Sequence, residues 1–214
     1  MDQDLIRETL AASYAAGALD PGLALMVEAQ SAMSPRADAL RAQAEAAAGA
    51  LFERETAAPL SDTARARALA LLDAPQEAPS LTPIASEFAA LPAPIREIAS
   101  AARAQGARWR FATPGLDILR LPNSGACKVE LLRARPGASA PTHTHEGGEY
   151  TLVLTGAFVD QTGRYEAGEI QVADAALRHR PTAQPGPICY LLAVSEGRLR
   201  FTGALGALQR LIDP

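Results

Sequence analysis

Apolar positions change their period once along the chain. Over the first 73 residues they recur at intervals of three and four, the spacing of a single helix face. Leu5 through Ala16 is a helical run that stops at Gly17, where a glycine C-cap is expected. Asp20-Pro21 pairs a capping carboxylate with proline at the first helical position, and Leu23, Met26 and Val27 follow on one face. Ser34-Pro35 repeats that start and opens a long alanine-rich helix with Leu40, Ala44, Ala47 and Leu51 along one side. Ser61-Asp62-Thr63 begins a fourth helix carrying Ala64, Ala68, Leu71 and Leu72. Short connections make antiparallel neighbours, hence a small bundle. Alanine buries little area at each inward position, so this bundle is expected to be only marginally stable alone.

Between Ala74 and Pro94 the texture is that of a linker. Pro75, Pro79, Pro83, Pro92 and Pro94 remove backbone donors and resist helix continuation. Leu81, Ile84 and Phe88 suggest that it lies against a surface, and a short helix over 95–103 completes a connecting segment, 74–105. From Trp109 onward the period becomes two. Strands are expected at 108–111, 116–121, 126–133, 149–155, 157–160, 169–173, 188–194 and 198–202, with Trp109 and Phe111 covering the wall they form. Many short strands punctuated by Pro-Gly and Gly-Gly pairs predict a sandwich or barrel. The expected class is therefore α+β in two domains: helices over 1–73 and an all-β unit over 106–214, with the linker prolines decoupling them.

Composition narrows the function classes. Residues 1–74 carry net charge −5 and residues 75–214 net +1, so neither part has the basic footprint that direct nucleic-acid binding needs. The start, Met1-Asp2-Gln3-Asp4, lacks a positive n-region, and no stretch approaches 18 apolar residues. A cytoplasmic protein with no membrane span is expected. Cys127 and Cys189 lie far apart, which excludes a disulfide framework but not a single bridge.

All three histidines of the chain, His143, His145 and His179, fall in the β half. His143 and His145, at i and i+2, point to one face of a strand. Glu146-Gly147-Gly148 forms a turn that returns Glu149 toward them, and His179 arrives about thirty residues later. Three neutral imidazoles and one carboxylate suit one divalent first-row ion; zinc is expected, and iron, manganese and nickel are compatible. Cys189 lies in a strand pattern typical of a small buried hydrophobe, and a redox role is the alternative.

The spacing Gly137-x5-His143-x-His145-x3-Glu149-x6-Gly156 resembles the first cupin motif, and Gly168-Glu169 with His179 resembles the second, without its usual proline and late asparagine. The resemblance covers about residues 106–203. It implies a double-stranded β-helix barrel with His143, His145, Glu149 and His179 as interior ligands. The run from Ala11 through Tyr14, Gly17 and Leu19, together with Tyr150–Asp160 and Leu199-Arg-Phe201, resembles the ChrR-type anti-sigma family. That resemblance implies a helical domain, residues 1–73, that holds an extracytoplasmic-function (ECF) sigma factor, and a cupin needed to respond to singlet oxygen or organic hydroperoxide. The sequence departs from the family where its helical domain usually carries zinc. Gln30–Ala37 stands at the HxxxCxxC segment and Leu5 near the early histidine, so no ligand set exists there. The alternative from another class is a metal-dependent cupin oxygenase with a helical appendage, because a His/Glu site with an open position can activate oxygen.

Overall fold

The computed structural model describes residues 2–73, 83 and 85–201. Pro75, Pro79, Leu81 and Ile84, and the end of the last expected strand at 202, lie outside the described residues. The order is α1 (Gln3–Ala15), α2 (Pro21–Met33), α3 (Pro35–Phe52), α4 (Asp62–Asp73), a short 3-10 turn (Ser86–Phe88) and α5 (Ala93–Ala104). Eleven strands follow among the described residues: β1 (Arg110–Thr113), β2 (Leu116–Arg120), β3 (Lys128–Ala134), β4 (His143–His145), β5 (Glu149–Thr155), β6 (Ala157–Asp160), β7 (Gly163–Glu166), β8 (Ile170–Ala173), β9 (Thr182–Ala183), β10 (Cys189–Ser195) and β11 (Leu199–Phe201).

The start signals act as expected. Asp20 and Ser34 each accept a backbone N–H of the helix they precede, and proline follows both. Gly17 has φ +65° and ends the first helix. The strands form a six-stranded antiparallel sheet in the order β1-β2-β3-β10-β5-β8, a three-stranded sheet β7-β6-β9, and the pair β11-β4. Alternate residues of β3, β5 and β10 fill the barrel interior, while the others form its outer wall. Period-two reading found most strands, but β7 and β9 were not anticipated; each has four residues or fewer, too short for a detectable alternation.

Three expectations need correction. The fourth helix packs against nothing among the described residues: Asp62 through Leu72 are all exposed, and on α3 only Ala37 is buried while Ala47 and Leu51 face outward. An apolar helix face implies a cover but does not say that the cover lies in the same chain. Phe111 does not cover the barrel wall. It is 74% exposed, whereas Trp109 packs between Phe88 and Tyr190 beneath the Arg133 guanidinium.

The third concerns the linker, whose prolines do not decouple the halves. Ile6, Leu10, Leu23, Met26 and Val27 share one core with Ile95, Leu121, Val129, Leu152 and Val194. Each such side chain taken fully from water contributes roughly 1.5–3 kcal/mol, so helices poor in their own core gain it from the barrel's outer wall. The approach is close at Gly22, where a Cβ would lie 2.5 Å from Val129 Cγ2. Polar latches frame the contact. Asp20 Oδ2 accepts the Cys127 N–H at 3.0 Å, its Oδ1 accepts from Asn123 at 2.9 Å, and Gln30 Nε2 donates to the Gly168 carbonyl at 2.8 Å. At the sheet edge the Gln3 amide both donates to the Ile170 carbonyl and accepts the Ile170 N–H.

Candidate functional site

β4 and the loop before β9 bring the histidines together. His143 and His145 occupy the two inward positions of β4, and His143 and His179 form an isolated antiparallel bridge through both backbone N–H groups. His179 Nε2 lies 3.0 Å from both His145 Nε2 and His143 Nε2, and all three rings are at most 5% exposed.

The outer nitrogens show what these contacts mean. His143 Nδ1 lies 2.7 Å from the Pro141 carbonyl and His179 Nδ1 lies 2.8 Å from Asp160 Oδ2, and both oxygens only accept. Each Nδ1 therefore carries the proton and donates it, which leaves a lone pair on each Nε2. Burial pushes the His143 and His145 imidazolium forms down to about 4, so these rings are neutral at neutral pH. Two lone pairs 3.0 Å apart repel, and a shared cation turns that repulsion into coordination. The donor set fits a divalent ion. His143, His145 and His179 form the one such cluster among the described residues.

Glu149 sits beside this cluster and not in it. Its Oε2 is 3.5 Å from His145 Nδ1, on the side away from the Nε2 atoms, and its Oε1 accepts from Thr151 at 3.2 Å. Burial pushes its carboxyl up to about 7. Cys189 is buried on β10, and burial pushes its thiol up to about 12, so it stays protonated at neutral pH. Both cysteines are free.

Two residues of the site were not anticipated. Asp160, at the end of β6, is fully buried, accepts from His179 and Thr162, and is hydrogen-bonded by Gln171 of β8. Burial alone would raise its carboxyl; the hydrogen bonds from Thr162, His179 and Gln171 outweigh that and hold it below the usual range. The available sign was the alternation of Phe158 and Asp160, which points an acid to the same interior side as a core aromatic. At the helical half, Leu5 is exposed, Ser34 caps α3, and Gln30 is buried against the barrel. Ser34 and Gln30 thus serve capping and docking contacts.

A helical half docked on an antiparallel barrel with an interior histidine cluster defines a protein with a cupin-type domain and an N-terminal helical module. The chain belongs to the ChrR family of anti-sigma factors. Residues 99–199 match the ChrR cupin-like domain family. The chain is 34% identical over 209 residues to anti-sigma-E factor ChrR of Cereibacter sphaeroides, covering 98% of this chain and 95% of that one. It is also similar to a crystal structure of Rhodobacter sphaeroides SigE in complex with the anti-sigma ChrR, at 31% identity and a TM-score of 0.69, covering 88% of this chain and 96% of that one.

Proposed function

We propose that this chain is an anti-sigma factor that captures an ECF-type sigma factor through residues 1–73. We propose further that it carries one divalent metal, zinc first among the candidates, on His143, His145 and His179. The observation that carries the first part is likeness to ChrR along nearly the whole chain, in the same order of helices and barrel. The free surface supports it: Leu51, Phe52, Leu60, Leu69, Leu71 and Leu72 are all more than half exposed on α3, α4 and their connection. Six large apolar side chains on one segment mark an interaction site. The net charge of −5 over residues 1–74 assists association with a basic partner surface.

This role is regulatory, and it places the protein in the cytoplasm with its partner. No helix among the described residues is long and apolar enough to cross a membrane. The metal site serves as the sensor, because the imidazoles and Cys189 all lie in the barrel while the helical half has neither histidine nor cysteine. The test is affinity purification of the full chain from its native cell at endogenous levels, followed by elemental analysis. Recovery of an ECF sigma factor with about one metal per chain is the expected result. Purification without any sigma factor would overturn the partner, and two zinc ions per chain would overturn the single site.

A further inference from the structure

The barrel interior contains a cavity of about 210 Å³ whose wall includes His143 of the histidine cluster. Strand register arranges its wall in tiers. Ala193 of β10 stands opposite Glu130 of β3 and Thr151 of β5, and Thr151 stands opposite Gln171 of β8. Two residues along, Leu191 stands opposite Leu132, which pairs with Ile118. Two further, Cys189 stands opposite Ala134, which pairs with Leu116. All of these line the cavity. Apart from Thr113, which pairs with Leu116 at the far end, its polar groups thus cluster in the tier near His143 and Glu149.

We propose that this cavity binds a small amphipathic monocarboxylate, with its carboxylate on the metal and its apolar body against Leu132, Leu191 and Cys189. The head-group assignment rests on the reading that the histidines hold a divalent ion. The size sets the body: a dry apolar cavity of about 150 Å³ accepts benzene, so this one takes a ring with a short tether or about six to eight carbons. Charge sets the head. No lysine or arginine lines the cavity among the described residues, and Glu130 is already paired with Lys128 at 2.8 Å, so a divalent ion is the positive charge that a carboxylate would meet. Small side chains keep the space open, and Ala193, at the boundary between the tiers, decides how much of it a ligand can use.

The test is calorimetric titration of the full chain, zinc-loaded and chelator-treated, with octanoate, butyrate and the uncharged probe toluene. Each buried methylene is worth a factor of roughly four in affinity, so octanoate should bind the loaded protein at least about tenfold more tightly than butyrate. Chelation should weaken octanoate about tenfold or more and leave toluene unchanged. Ala193→Leu should weaken both octanoate and toluene. Leu132→Ala, which lengthens the apolar end, should shift the preference from octanoate toward decanoate, a change that general destabilisation does not produce. If one zinc binds per chain but neither octanoate nor toluene binds, the ligand proposal fails and the metal reading stands. Toluene binding that responds to Ala193→Leu in a chain that takes up no zinc would overturn the carboxylate assignment along with the metal reading.

Discussion

Asp160 decides the protonation of one imidazole. By accepting from His179 Nδ1 it directs the lone pair of Nε2 into the cluster, and its own burial is offset by Thr162 and Gln171. Asp160→Ala removes that constraint, and metal affinity should fall about 10–100-fold, read by competition with a chromophoric chelator. An unchanged affinity would show that His179 is oriented by packing alone. Asp20 does comparable work between the halves. Burial raises its carboxyl, but hydrogen bonds from Cys127, Asn123, Gly22 and Ala126 prevail and hold it at about 2. Because the folded value lies below the ordinary one, its stabilising effect is complete above about pH 4 and is lost as pH falls toward 2. Asp20→Ala should destabilise the chain by about 1–3 kcal/mol at neutral pH, with a smaller difference at pH 2.5, measured by denaturant unfolding.

Among the elements, α4 separates what a pattern can express from what it cannot. Its apolar residues were legible, as was its start at Ser61, yet all lie in solvent. Replacing Leu71 and Leu72 with serine should change the stability of the free chain by no more than about 0.5 kcal/mol while weakening sigma capture. A large loss of stability would mean that α4 is covered within this chain. The docking of α2 was illegible for the opposite reason. Gln30 and Gly22 look like ordinary helix-surface positions, and only the distant Gly168 carbonyl and Val129 side chain explain them. The motif around His143 could be read because its ligands are close in sequence, whereas the contact of Asp160 with His179 spans 19 residues and two strands.

For the whole molecule, the shared core makes barrel and helices one cooperative unit. Metal removal should therefore lower a single unfolding transition, not only the barrel's part of a two-step curve, as followed by scanning calorimetry with and without chelator. Two well-separated transitions would show that the common core is too weak to join the halves.

The paired hydrogen bonds of Gln3 have a consequence for that unit. β8 is the last strand of the six-stranded sheet, and one glutamine amide meets both backbone groups of Ile170 there, as a residue on a neighbouring strand would. A single side chain thus stands in for a seventh strand and closes a sheet margin that could otherwise recruit another chain. A partner that lifted α1 from the barrel would uncover that margin. The protein's resistance to self-association would then depend on whether its first helix is seated.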